Sequence, residues 1–246
     1  MTKPTNALDH DGINRLLPLL GDDPARERLA QASRTANSAV AALAAEIATS
    51  AARADAIERQ IVRGVTNPTA RTKLAAERQR IETEALFLPG RLEVATVAQA
   101  RAELAYLAHV HAAAYAAERA AQAAHERTHA AWVGPARRDY ELSNTTEPET
   151  VRARAALQEQ LAPLVAANAA AAQAVERVAF LRQVLAACAA RVYGAGVDLA
   201  RPQTWETPIR EGARRAVAAW RTGGRDLAAH GAAVDGRWAP LAGARV

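Results

Sequence analysis

Two histidines and a glutamate within one helical turn are the residues of this chain best spaced for chemistry. They lie in the segment His125-Glu126-Arg127-Thr128-His129, which has the form H-E-x-x-H. On a helix the two imidazoles share a face and can hold one zinc ion, while the adjacent carboxylate can act as base toward a metal-bound water. A zinc-dependent hydrolase, in which His125 and His129 would be ligands and Glu126 the catalytic base, is therefore one alternative for this chain.

These five residues resemble the metal-binding helix of the zincin metalloproteases. The resemblance implies that a third zinc ligand follows the two histidines. The metzincin subfamily would have a glycine and a histidine where this chain has Trp132 and Pro135, which excludes that subfamily. A gluzincin-like third ligand would be Glu149, which follows His129 by 20 residues.

The same histidines also belong to a longer polar stripe along one predicted helix. Its members recur at intervals of four and three residues: His111, Tyr115, Glu118, Gln122, His125, His129 and Trp132. Such a stripe is either a buried hydrogen-bonded layer that fixes helix pairing or a face exposed to solvent or to a partner. We favour the exposed or partner-facing interpretation, and we expect no metal and no cofactor.

Long helices must position these residues, because glycine is almost absent from the middle of the chain. Between Pro24 and Tyr193 only Gly64, Gly90 and Gly134 occur, each where a helical apolar pattern stops. Apolar and small residues in the first long segment recur at the alternating spacing of a heptad seam. We predict an all-α fold, an elongated bundle of long antiparallel helices with coiled-coil-like heptad packing, plus a small Trp/Arg-rich C-terminal docking region.

Capping residues predict the first two helices. Asp23-Pro24 and Asn67-Pro68 each place an N-capping side chain before a proline suited to the first helical turn. The first helix is expected to end at Gly64, and the second is expected to stop at Pro89-Gly90.

A capping box predicts the third helix. Thr96 is followed three residues later by Gln99, which places the N-terminus of the helix at this point. The helix should continue to Trp132 and end at Gly134-Pro135. A polar loop is expected over residues 136–145.

A second capping box, Thr146 with Glu149, predicts the fourth helix. This helix should carry a heptad seam of apolar residues and end at Gly194. Pro163 lies inside it and should kink it, because proline removes a backbone hydrogen bond. Asn168 lies on the seam and is expected to fix the register of helix pairing.

The end of the chain differs in composition from the rest. We divide the chain into an irregular leader (1–23), a long-helix bundle (24–196) and a docking region (197–246). Residues 201–246 hold eight arginines, four acidic residues and three of the four tryptophans. Because Trp and Arg are enriched at interface hot spots, we assign partner docking to Trp205, Arg210, Arg214, Trp220, Arg221 and Trp238. Nucleic-acid binding is the alternative for the arginines of this region: Arg210, Arg214, Arg215 and Arg221.

Composition also bears on where the protein acts. The net charge is +5, and the lone cysteine, Cys188, can form no intrachain disulfide, so we expect a buried, inert thiol. The N-terminus has no apolar signal-peptide core, and polar residues interrupt the alanine runs before the roughly 20 apolar residues of a membrane span. We therefore expect a cytoplasmic protein, or one of a particle assembled in the cytoplasm, with no membrane contact.

Three functions remain open at this point. The leading hypothesis is a non-enzymatic structural or assembly protein that binds copies of itself or other protein subunits within a larger particle, such as a phage virion or another multi-subunit machine. The second is the zinc metallohydrolase with His125, His129 and Glu126. The third is a nucleic-acid-binding adaptor that uses the basic C-terminal region.

Overall fold

The computed structural model describes residues 17–64, 67–143 and 146–222, with side chains of the last helix described up to residue 218. About 90% of the structure is helical, and these ranges contain no strand. The predicted all-α fold is confirmed, whereas coiled-coil-like heptad packing stays a prediction. The described ranges contain five α-helices: α1 (Pro24–Val62), α2 (Pro68–Ala85), α3 (Leu88–Leu142), α4 (Pro148–Tyr193) and α5 (Glu206–Thr222).

The first two helices begin where their capping residues predict. The Asp23 carboxylate accepts a hydrogen bond of 2.8 Å from the backbone N–H of Ala25. The Asn67 side chain accepts one of 3.0 Å from the N–H of Thr69. Each cap thus satisfies an N–H group that has no partner within the helix. After α1, Gly64 takes a left-handed φ of 88°, a conformation open to glycine without steric cost.

The predicted start of α3 was wrong. The helix begins at Leu88, so Pro89-Gly90 lies in its first turn and does not end the preceding helix. Proline is tolerated there because the N–H it lacks would have had no partner in the helix. Thr96 lies inside the helix, and its hydroxyl donates to the carbonyl of Leu92 at 2.8 Å instead of capping a helix end.

The predicted end of α3 was also wrong. Gly134-Pro135 lies inside the helix, which continues to Leu142. Proline at this position removes one backbone hydrogen bond, but the turns on both sides keep theirs. An ion pair of 3.1 Å between Arg137 and Glu141 supports the last turns. The predicted polar loop over 136–145 is therefore helical up to Leu142.

Helix α4 begins at Pro148, so the residue before the helix is Glu147 and not the predicted cap Thr146. It ends at Tyr193 as predicted, and Gly194 follows with a left-handed φ of 102°. Pro163 lies within the helix. Cys188 is a free thiol and is buried, as predicted.

Contacts divide the chain into two compact units. Among the described residues, the first contains 23–109 and 187–222. Its core brings together apolar residues of three helices: Leu43 and Ile47 of α1, Leu88 and Leu92 of α3, and Val217 of α5. An ion pair of 3.0 Å between Arg101 and Glu206 also joins α3 to α5. The described part of the predicted docking region thus belongs to this unit, while the predicted division at residue 196 stays a prediction.

The second unit contains residues 110–186 and the short turn before α1. Within it, polar pairs join α3 to α4 in an antiparallel arrangement, because rising residue numbers on one helix meet falling numbers on the other. The pairs are Glu118 with Arg182 at 3.0 Å, Thr128 with Asn168 at 3.3 Å, and Asp139 with Arg154 at 3.1 Å. Apolar residues of α4, including Leu181 and Leu185, are buried in the same unit.

Candidate functional sites

The two histidines of the H-E-x-x-H motif lie side by side on α3. The ring centroids of His125 and His129 are 6.1 Å apart, and the ring of Trp132 follows at 5.5 Å from that of His129. Nδ1 of His125 is buried without a hydrogen-bond partner. The structure thus brings together the two predicted nitrogen ligands, while Glu126 between them is exposed.

The third predicted ligand does not join this pair. Within the described ranges, no group of three or more His, Cys, Asp or Glu side chains is placed to hold a metal ion. Glu149, in the first turn of α4, therefore does not complete a ligand set with His125 and His129. Catalytic zinc sites usually have three protein ligands, so the described residues provide two of them at most.

The polar stripe on α3 is divided lengthwise. Members spaced seven residues apart are partly buried, and those between them are exposed: His111, Glu118, His125 and Trp132 in the first set, and Tyr115, Gln122 and His129 in the second. Glu118 pairs with Arg182, whose guanidinium also lies 5.3 Å from the ring centroid of Tyr115. Glu118 and Tyr115 thus both contact α4 through Arg182, while Gln122 and His129 are exposed.

A buried carboxyl group in the first unit is the most unusual polar feature of the described chain. Glu103 of α3 is only 3% exposed, and Gln99, one turn earlier, is 6% exposed. The phenol of Tyr193, at the end of α4, donates a hydrogen bond to one carboxyl oxygen of Glu103, and Gln99 donates to the other at 3.3 Å. The amide of Asn37 on α1 is also hydrogen-bonded to this carboxyl. We call these four residues the carboxyl cluster.

Burial changes the acid–base behaviour of this cluster. It raises the pKa of Glu103 from its ordinary 4.5 to about 7, because a charge is poorly solvated there, although hydrogen bonds from Tyr193, Gln99 and Asn37 oppose the shift. The pKa of Tyr193 is raised well above its ordinary value, first by burial and then by the charge of Glu103. Glu103 is therefore protonated below neutral pH, and the nearby tyrosine stays neutral.

Helix α4 has an exposed surface without charge. From Gln160 to Val175 the sequence contains no Asp, Glu, Lys or Arg. Four exposed residues of this segment lie on one side of the helix, and we call them the alanine face: Ala162, Val165, Ala166 and Ala169. Val151 and Phe180, both 54% exposed, lie beyond its two ends.

By length and composition alone, α4 could also cross a membrane. It is the one such helix in the described ranges, and 11% of its most apolar window is buried. A helix in the core of a soluble protein can pass the same test, so the predicted absence of a membrane span stays a prediction.

The predicted docking residues are arranged around α5. Trp205, just before the helix, donates from its indole Nε1 to the carbonyl of Asp198 at 2.8 Å. Arg210 pairs with Glu206 at 2.6 Å, and Arg214 is exposed. Ile209 and Val217 face the other way and are buried. The side chains of three predicted docking residues lie outside the described part of the chain: Trp220, Arg221 and Trp238.

The carboxyl cluster was missed by sequence reasoning, although α3 carries a signal for it. Leu92, Gln99, Glu103, Tyr106 and Val110 follow one another at heptad-compatible intervals, so two polar residues occupy positions of an apolar seam. No family model matches the chain, and neither a curated protein nor a solved structure is similar to it.

Proposed function

We propose that the protein is a non-enzymatic assembly protein, in which the alanine face of α4 binds a helix of a second copy or of another protein subunit. The observation that carries the proposal is the uncharged segment from Gln160 to Val175, whose alanine face is exposed to solvent. At 1.5 Å per residue, these residues extend for roughly 24 Å along the helix axis. Such a length suits contact with several turns of a partner helix.

Both the small apolar side chains of the alanine face and its lack of charge favour binding of a partner helix. Exposed apolar patches of this kind mark interaction surfaces. Small side chains let two helix backbones approach closely, which increases dispersion contacts along the whole interface. The absence of charge means that no ion has to be desolvated when a partner binds. Val165 at 50% exposure contributes the largest side chain of the face itself.

The test is the association state of the full chain, measured by sedimentation equilibrium over a range of concentrations and by native mass spectrometry. Ala169→Glu puts a charge at the C-terminal end of the alanine face, near the middle of the uncharged segment from Gln160 to Val175. Ala120→Glu puts the same charge on an exposed position of α3 beside Arg119 and serves as the matched control. We expect an oligomer, or a complex with a copurified subunit, that Ala169→Glu dissociates and Ala120→Glu leaves intact.

Two results would argue against this proposal. One is a wild-type monomer that neither associates with concentration nor copurifies with another subunit. The other is equal association of both glutamate variants. Sedimentation with neutral lipid vesicles tests whether α4 faces lipid instead of a protein. If it does, the wild type binds the vesicles and Ala169→Glu does not.

The zinc metallohydrolase is the second candidate, and one observation favours it: the adjacent rings of His125 and His129, with the unpaired Nδ1 of His125. It predicts one zinc per chain after dialysis, lost in His129→Ala. The assembly proposal predicts no stoichiometric zinc and an unchanged oligomer in that variant. A nucleic-acid adaptor would instead show binding that weakens steeply with salt and depends on the exposed Arg214 and Arg215.

A further inference from the structure

The turn between α2 and α3 exposes three apolar side chains, which we call the apolar corner: Leu86, Phe87 and Pro89. Leu86 is 76% exposed and Phe87 is 70% exposed, while Pro89 is partly exposed. Backbone hydrogen bonds fix this turn, because the N–H of Phe87 donates to the carbonyl of Glu84 at 3.3 Å and its carbonyl accepts from the N–H of Arg91 at 3.2 Å. Bulky apolar side chains held side by side on a surface mark a place where another segment binds.

The apolar corner adjoins the core of the first unit. Ala85, just before the corner, packs against the core cluster, and Leu88, between Phe87 and Pro89, belongs to that cluster. The same turn thus presents one side to a core that includes Val217 of α5 and the other side to solvent. A segment bound at the corner would extend this core outward.

Helix α5 carries the chain toward the apolar corner. Near the start of this helix, Glu206 pairs with Arg101 of α3 at 3.0 Å. Eleven residues later, Val217 packs with Leu88 and Leu92, which precede Arg101 on α3. The two helices are therefore antiparallel, and the last five residues of α5 advance by about 7.5 Å beyond Val217 in the direction of the corner.

We propose that Trp238, within residues 223–246, binds the apolar corner of the same chain, so that the C-terminal segment of the protein covers this surface. Residues 223–246 follow α5 directly and lie outside the described ranges. The proposal does not depend on the assembly function, because the apolar corner belongs to the first unit and the alanine face to the second.

The connection is long enough for this contact. Trp238 follows Thr222 by 16 residues, which can extend up to about 53 Å at roughly 3.3 Å per residue. Since α5 runs toward the corner, only part of this reach is needed. A tether of this kind gives an effective concentration of roughly millimolar. The contact within one chain is therefore favoured over the same contact with a second copy in dilute solution.

The size of Trp238 makes it the best anchor in this segment. It is the only Trp, Tyr or Phe among residues 223–246. A buried aromatic side chain removes about 150–250 Å² of surface from water, and the aromatic pair with Phe87 adds to this gain. Arg237, next to Trp238 in sequence, has a charge complementary to that of Glu93, which is exposed near the start of α3.

The first experiment places the photo-reactive amino acid p-benzoylphenylalanine at position 238 of the full chain. On irradiation we expect a cross-link to residues 84–91, identified by mass spectrometry of the digested protein. In an equal mixture of ¹⁵N-labelled and unlabelled protein, both peptides of each cross-linked pair should carry the same label. Cross-links to other residues, pairs with one labelled and one unlabelled peptide, or no cross-link would each overturn the proposal.

Two matched substitutions test whether the corner is the binding surface. Phe87→Ser removes the apolar partner of position 238, whereas Val62→Ser removes an apolar side chain that is 78% exposed and precedes the start of α2. The corner follows the end of this 18-residue helix, roughly 27 Å further along its axis. We expect Phe87→Ser to lower the cross-link yield by roughly fivefold and Val62→Ser to leave it unchanged. Equal yields with and without Phe87 would refute the proposed contact.

A double-mutant cycle tests the same contact without a photo-reactive probe. It compares the denaturant unfolding of the full-length wild type, Phe87→Ser, Trp238→Ser and the double variant. An aromatic pair predicts a coupling of roughly fivefold in the unfolding equilibrium constant. Val62→Ser and Trp238→Ser should have additive effects, because their sites do not touch. Additive effects of Phe87→Ser and Trp238→Ser would contradict the proposal.

Discussion

Replacing Leu92 by alanine tests whether α5 is held by a packed core. Leu92 is 1% exposed and belongs to the cluster with Leu43, Ile47, Leu88 and Val217. The substitution removes three carbon atoms, worth about 2.4 kcal/mol at about 0.8 kcal/mol for each buried methylene group. Incomplete collapse of the resulting cavity adds to this loss, so we expect a destabilisation of about 3 to 4 kcal/mol.

The assay is denaturant unfolding of the full chain, monitored by the far-ultraviolet circular dichroism signal of the helices. Val94→Ala is the matched control, because Val94 lies two residues further along the same helix and is 72% exposed. It should change the free energy of unfolding by less than about 0.5 kcal/mol. A double-mutant cycle of Leu92→Ala with Val217→Ala then measures the coupling between α3 and α5, expected at about 0.5 kcal/mol or more.

Two outcomes would contradict this reasoning. A loss below about 1 kcal/mol for Leu92→Ala would mean that its site is not a close-packed core. Additive effects of Leu92→Ala and Val217→Ala would mean that α5 does not pack on this part of α3.

Three further predictions concern single residues. Asn67→Ala removes the N-cap of α2 and should lower the free energy of unfolding by about 1 kcal/mol in denaturant titration. The Cys188 thiol should react with a disulfide reagent much more slowly in the folded than in the unfolded protein, because burial blocks access and raises its pKa. The hydrogen bond from His109 to Asp23, at 2.5 Å, is the largest cause of the lowered pKa of Asp23. This stabilisation is present above the ordinary pKa of 3.8 and is lost as pH falls through the lower folded value, so Asp23→Asn should reduce acid sensitivity in thermal melts below pH 4.

The sequence predicted helix boundaries well where a local hydrogen bond decides them. Asp23 and Asn67 cap the helices that follow them, and Gly194 follows the last residue of α4 with the backbone conformation that suits glycine. The helix end predicted at Gly134-Pro135 was wrong because proline and glycine lower the stability of a helix only locally. A helix of 55 residues retains many other hydrogen bonds and contacts with α4, which outweigh the loss at one turn.

The two candidate sites also differ in how well local sequence predicts them. His125 and His129 are adjacent through helical periodicity alone, so their proximity could be predicted from five residues. The carboxyl cluster joins positions on three helices, and the phenol of Tyr193 reaches Glu103 across 90 residues of sequence. Periodicity places Gln99 and Glu103 on an apolar seam, but it does not identify the donors that face them.

The distance along the chain between contacting residues differs in the two units, and this difference affects the order of folding during synthesis. Asp139 and Arg154, in the second unit, are 15 residues apart, whereas Glu103 and Tyr193, in the first, are 90 apart. The entropy lost on closing a loop increases with its length, and distant pairings slow folding. The hairpin of α3 and α4 can therefore close while the ribosome is still synthesising the chain. The core of the N-terminal helices, although made first, is completed only when Val217 of α5 joins Leu43, Ile47, Leu88 and Leu92.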